Sequence, residues 1–393
     1  MSATHGLART LRTRSRLLGL ALVAAFAVSA VLASAAGAVT HPPKEYYVAL
    51  GDSLSFGYSQ QLFNQNLETG EPVSAFTHGY ADDYLLKLHP NLVHIGLQDL
   101  GCPGETSGSL IGNGPLAAGL KAGQEYAEGK EVAAFGEAPC AYHEKTAEEN
   151  GFPAGFHFPL HVEYGGEGVS QLEAALGVIA HDALAGTPVT HLTLNIGAND
   201  QLHFVKKCEQ EVGEKVGRGE IPPTKAAEEK AFSECLVGGA LPLGRKIGEN
   251  IGRILTVIRK GAEFGGINYT GPIIFVGAYN PYGNLEKIAT KKEALEGKNY
   301  EGLRGSNGLA SQFNTGFGEV AAKFGGCLAN TLTKFNPQNI AEPGRLQKWT
   351  NMANTSTTEF PKGSGNFLNN GPDIHATPEG YKVMANVMVL SCP

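Results

Sequence analysis

"YYVALGDSLSFGYS", Tyr46 to Ser59, opens as a short apolar run and ends in glycine and serine. A run this apolar and this short reads as a buried strand, since a strand covered on both faces shows no polar alternation. The chain leaves it through Gly51-Asp52-Ser53. Two readings of that exit stand side by side. One is a plain turn, because Gly and Asp are turn formers. The other is a serine nucleophile held at the carboxyl end of a strand.

Outward from this stretch, strand and helix patterns alternate. "GYADDYLLKLH" (79–89) reads as a helix with Tyr80, Tyr84, Leu85 and Leu88 as its apolar positions, and "NLVHIGL" (91–97) as a second strand. "GVSQLEAALGVIAHDAL" (168–184) is amphipathic, with Leu172, Ala175, Leu176 and Ile179 on one face. "THLTLNIGAND" (190–200) is a strand running into a polar turn, "NIGRILTVIRKGA" (250–262) a helix and "GPIIFVGAYNP" (271–281) a strand. "TPEGYKVMANVMVL" (377–390) closes the chain as a helix, with Thr377 as N-cap and Pro378 in the first turn. Alternation with near-continuous apolar strands predicts an α/β fold with a parallel sheet covered on both faces. Sites in such folds lie at the carboxyl ends of the strands.

Bulk properties narrow the function. The formal net charge of −7 opposes a nucleic-acid partner. The 52 glycines among 393 residues are about twice the usual share and predict many turns and long loops. Two interruptions fit that: a glycine-rich region near 108–166 and a charged, partly helical region near 201–244. Loops this long are commonly functional, and both leave the polar edge of the sheet, where they would wall a site. With no linker between them, residues 39–393 read as one domain.

Residues 1–38 read as a secretory signal peptide. Arg9, Arg12, Arg14 and Arg16 precede the apolar run "LLGLALVAAFAVSAVLASAAGA", and Ala36-Gly37-Ala38 offers a small-residue cleavage site. The competing reading, an uncleaved membrane anchor, is disfavoured by the small residues crowding its end. No membrane span is expected after cleavage, and the expected product is a secreted monomer. Cys102, Cys140, Cys208, Cys235, Cys327 and Cys392 all lie beyond the leader, and an even count in an exported chain implies three disulfides. Of the 15 pairings open to six cysteines, sequential pairing is expected. It closes each irregular region and fastens the final helix to the body. No metal is expected. His157 and His161 are four apart, but Pro159 between them opposes a helical ligand face.

The polar strand ends then come together. After the first strand stands Ser53, after the second Gly104 in "GCPGETS", after the middle strand Asn199 in "GAND", and near the C-terminus His375 in "GPDIHATPEGY". Acyl transfer needs a hydroxyl nucleophile, a base for its proton and donors for the oxyanion. Singly, each block also reads as a turn, a helix cap or a structural histidine. Their joint occurrence, each at a strand end, is far more specific.

These four blocks resemble those of the SGNH, or GDSL, family of serine esterases and lipases, over the chain from Tyr46 to its end. The resemblance implies a flavodoxin-like three-layer α/β/α sandwich with the two long insertions. It implies Ser53 as nucleophile and His375 as base, with Gly104, Asn199 and the amide of Ser53 forming the oxyanion hole. It implies ester hydrolysis with no metal or organic cofactor, on a small-molecule, lipid or carbohydrate ester. A carbohydrate O-acetylesterase is the alternative within enzymes, and a non-catalytic binding module on the same scaffold the alternative outside them. The absence of any G-x-S-x-G elbow disfavours an α/β-hydrolase.

Two positions depart from the family pattern. The acid three residues before the histidine is replaced by Pro372, leaving Asp373 two residues before, and Ala376 stands where the family often has proline. Asp373 is the candidate third member of the triad, or else only a turn or helix-capping residue, since on an extended backbone its short side chain has little reach to the far ring nitrogen of His375. A backbone carbonyl near Gly371 or Pro372 is then an alternative acceptor.

Overall fold

The computed structural model describes residues 42–60, 62–63, 76–88, 94–120, 137–140, 160–166, 168–281, 306–336, 349–351 and 373–392. The signal-peptide reading of residues 1–38 lies outside them, as do His157, Gly371 and Pro372.

Five strands, β1 (Glu45–Gly51), β2 (Ile95–Asp99), β3 (Val189–Asn195), β4 (Ile273–Gly277) and β5 (Gly326–Asn330), pair in parallel in the order β2-β1-β3-β4-β5. This is the flavodoxin-like order, whose topological switch point falls between β1 and β3. There Gly51 and Asn195, the last residues of the two strands, are register partners. A Cβ on Gly51 would stand 2.5 Å from the Asn195 carbonyl oxygen, at a φ of +153°, so only glycine lets the strand end this close to its neighbour.

Side chains alternate across the sheet. Val48 and Leu50 of β1 point into one core with Leu192, Leu194 and Phe275, under helices α4 (Gln171–Leu184), α6 (Lys225–Arg259) and α7 (Ser306–Lys323). Tyr47 and Ala49 point into the other, under helices α2 (Tyr80–Leu88) and α9 (Pro378–Ser391). The short helices α1 (Ser53–Phe56), α3 (Ser107–Ile111) and α8 (Leu332–Phe335), with the longer α5 (Ala198–Gly217), complete the order in the chain. Two separate cores on either face of one sheet make the three-layer sandwich that the alternation predicts. On α9 the buried face is Tyr381, Met384, Ala385, Val387 and Met388. Each large apolar side chain buried this way contributes about 1.5–3 kcal/mol, so a charge at Met384 would detach the helix.

Two features differ from the expectation. The charged region near 201–244 is helical almost throughout, as α5 and the first half of α6. Its faces carry ion pairs at helical spacing, Lys207–Glu211, Arg218–Glu214, Lys225–Glu229 and Lys230–Glu234, a pattern that supports a solvated helix with little apolar signal. The edge strand β5, "GCLAN", and the preceding α7 add one more unit to the alternation; two glycines lead into this strand, which is only half-buried and so lacks a continuous apolar run.

The six cysteines form Cys102–Cys140, Cys208–Cys235 and Cys327–Cys392. The second ties α5 to α6, and the third ties β5 to the residue that ends α9. Among the described residues no helix is long and apolar enough to cross a membrane.

Candidate active site

Ser53 stands at the first position of α1, directly beyond β1. Asp52 caps that helix in extended conformation, its Oδ1 accepting the Leu54 amide at 2.9 Å. The helix stops after one turn at Gly57, in the left-handed conformation. The amide of Ser53, as a first-turn amide, has no intrahelical acceptor.

His375 reaches Ser53 from the loop before α9. Its Nε2 lies 2.9 Å from the serine Oγ, and its Nδ1 lies 2.6 Å from Asp373 Oδ1. All three side chains are buried. Asp373 thus reaches the far ring nitrogen, and its other hydrogen bonds show how. Asp373 Oδ1 also accepts the backbone amide of His375 at 3.0 Å. This is an Asx turn, in which a side chain bonds the amide two residues on, and it curls the carboxylate beneath Nδ1 where an extended backbone would not. Asp373 Oδ2 accepts the Gln60 amide at 3.0 Å. Burial alone would raise the Asp373 pKa, but the attraction of His375 and these hydrogen bonds outweigh it and hold the carboxyl below its ordinary value.

The loop bearing His375 is fixed from several sides. Tyr279 donates to the Ile374 carbonyl at 2.7 Å, Asn351 N to the His375 carbonyl at 2.8 Å, and Thr377 N to the Trp349 carbonyl at 3.0 Å. The Tyr58 ring packs on the imidazole at 4.5 Å between centroids.

Gly104 lies in the turn after β2, with φ +82°, a conformation that glycine adopts freely. Cys102 N donates to the Gly51 carbonyl at 3.1 Å, and Glu105 N closes the turn on the Cys102 carbonyl at 3.1 Å. Among the described residues neither the Ser53 nor the Gly104 amide donates to another protein group. Asn199, in the first turn of α5, donates through Nδ2 to the Glu105 carbonyl at 2.9 Å. An amide nitrogen carries two hydrogens, so one donor is spent on the Gly104 turn and one is left. The next residue braces the same junction: Asp200 accepts from the Ser107 amide at 2.8 Å and the Ser107 hydroxyl at 2.7 Å.

The four blocks are thus joined by direct hydrogen bonds: Ser53 to His375, Gly51 to Cys102, Glu105 to Asn199. Ser55, two residues beyond Ser53, is committed elsewhere, donating to Asp99 Oδ1 at 2.9 Å. Residues that the sequence reading did not single out are Gln60, Glu105, Ser107, Tyr58 and Gln171, and none carries a motif signal of its own. Burial pushes the Asp52 carboxyl up to about 7 and the Glu105 carboxyl up to about 8. Among the described residues, Cys102, Glu105 and Cys140 bring metal-ligating atoms together, but both sulfurs are joined in a disulfide.

No family model matches the sequence, and no curated protein does. Solved structures similar to it include an extracellular lipase from Streptomyces rimosus, at 13% identity and TM-score 0.40, covering 88% of this chain and 99% of that one. A phospholipase A1 from Streptomyces albidoflavus is similar at 12% identity and TM-score 0.41, covering 88% and 99%.

Proposed function

We propose that this chain is a secreted serine hydrolase that cleaves carboxylic esters through an acyl-enzyme. The observation that carries the reading is the continuous chain Ser53–His375–Asp373, at 2.9 and 2.6 Å, beside the Gly104 and Asn199 donors. Asp373 holds the Nδ1 proton, so Nε2 is the lone-pair nitrogen facing the serine. Nε2 takes the hydroxyl proton as Oγ bonds the ester carbonyl carbon. The carbonyl oxygen becomes an oxyanion and accepts from the Ser53 and Gly104 amides and the Asn199 side chain. Collapse expels the alcohol, which takes its proton from Nε2. A water then loses a proton to the same nitrogen as it attacks the acyl carbon, and collapse breaks the bond to Oγ, which takes that proton from Nε2 as the acid leaves. Export is supported by the leader-like residues 1–38 and by the three disulfides.

The test is turnover of p-nitrophenyl esters of graded chain length, beside acetylated xylan and a phospholipid, by the parent and Ser53→Ala. Loss of all turnover in the variant is expected. A parent that binds these compounds and hydrolyses none would make the chain a binding module instead.

A further inference from the structure

Gln171 opens α4, yet it does no capping. Ser170 and Glu173 cap that helix reciprocally, which frees the Gln171 side chain to turn into the carboxyl end of the sheet, where it is fully buried. Its Oε1 accepts the Gly51 amide at 2.7 Å. Its Nε2 donates to the Gly51 carbonyl at 3.0 Å and to Glu105 Oε2 at 3.0 Å, with the Tyr164 hydroxyl at 3.2 Å.

One planar amide thus grips both polar groups of the residue two before Ser53, and at the same time the side chain of the residue after Gly104. The carbonyl of that same Glu105 is the acceptor for Asn199. The other carboxyl oxygen of Glu105 is held by the Ser109 hydroxyl. The three oxyanion donors proposed above sit on three different segments; Gln171 bonds to Gly51 and Glu105, on the segments of Ser53 and Gly104, and Glu105 in turn bonds Asn199. An ordinary strand end needs no such grip, because its amides and carbonyls pair with the neighbouring strands.

We infer that Gln171 is a positioning residue for acyl transfer, setting the spacing of the Ser53, Gly104 and Asn199 donors by clamping Gly51 to Glu105. This rests on the ester-hydrolase reading. The side chain must supply one acceptor and two donors in a single plane, and glutamine does so. Glutamate keeps the acceptor and loses the donors; methionine keeps the shape and loses both. A donor misplaced by about 1 Å can cost about 100-fold in rate, and Gln171 is fully buried and so does not itself contact substrate.

The experiment measures kcat and KM on p-nitrophenyl butyrate for the parent, Gln171→Met and Gln171→Glu, each well below its own Tm. Alongside, it measures inhibition by an alkylboronic acid, which forms a tetrahedral adduct on the serine and needs the oxyanion donors. Expected is a fall in kcat of about 10- to 100-fold with KM within about twofold, and a matching loss of boronic-acid affinity. Gln171→Glu, which retains the Gly51 contact through its acceptor, serves if the methionine variant does not fold. Variants with lowered Tm but parental kcat and parental boronic-acid affinity would overturn the inference and leave the ester-hydrolase reading standing. A parent without ester turnover would overturn both.

Discussion

Asp373 and His375 are separated by one residue, yet Asp373 Oδ1 bonds both the ring Nδ1 and the backbone amide of His375, at 2.6 and 3.0 Å. The turn that brings the carboxylate under the ring is made by the carboxylate itself. Aspartate at this spacing therefore places its acid by local hydrogen bonding, and the missing acid at position 372 is no loss.

Replacing Asp373 by Asn should accordingly be severe. The amide favours the wrong histidine tautomer and stabilises no imidazolium, which in the Ser-His-Asp template costs on the order of 10,000-fold in kcat. Steady-state kinetics beside His375→Ala checks this. A loss under about tenfold would mean that the carboxylate only shapes the loop.

Asn199→Ala should lower kcat about 100- to 1,000-fold with little change in KM, the cost of one side-chain oxyanion donor. A change confined to KM would assign Asn199 to substrate binding.

The pattern of what the sequence disclosed follows from where the signal is written. Ser53, Gly104, Asn199 and His375 were legible because each is a polar break at the end of an apolar strand or before a capped helix. The layers were legible because β1, β3 and β4 are apolar throughout. The role of Asp373 stayed open in the sequence because its reach depends on an Asx turn, which strand-like spacing does not reveal. The α5–α6 pair looked irregular because its helicity is carried by charge pairs rather than an apolar stripe. Gln171 left no signal, since its role depends on a contact 120 residues away.

Buried acids predict the pH dependence of stability. Asp52 and Glu105 have folded-state pKa values raised to about 7 and about 8, against roughly 4 when unfolded. The folded state therefore holds protons that the unfolded state has lost. Their stabilisation is full below about pH 4 and is lost as pH rises through about 7 to 8. Asp373 acts in the opposite sense: its lowered pKa contributes stability above about pH 4 that is lost as the solution becomes more acidic. Asp52→Asn, which can still cap α1, and Glu105→Gln should flatten the fall in Tm between pH 5 and pH 8. That is checked by thermal melts across this range. Parallel Tm–pH curves for parent and variants would contradict it.

The Cys327–Cys392 bond fastens the end of α9 to the edge strand β5, closing a loop across 65 residues. Replacing both cysteines by serine should lower stability by about 2–4 kcal/mol, read as a lower denaturant midpoint. An unchanged midpoint would show that the α9 core contacts suffice alone.

The central claim is that Ser53 is the nucleophile, and mass spectrometry of a phosphonate adduct tests it most directly. With a fluorophosphonate probe the parent should gain one adduct, on the peptide bearing Ser53. Ser53→Ala should gain none and lose ester turnover, while its Tm stays near that of the parent. An adduct on Ser55, or parental turnover in Ser53→Ala, would contradict the account.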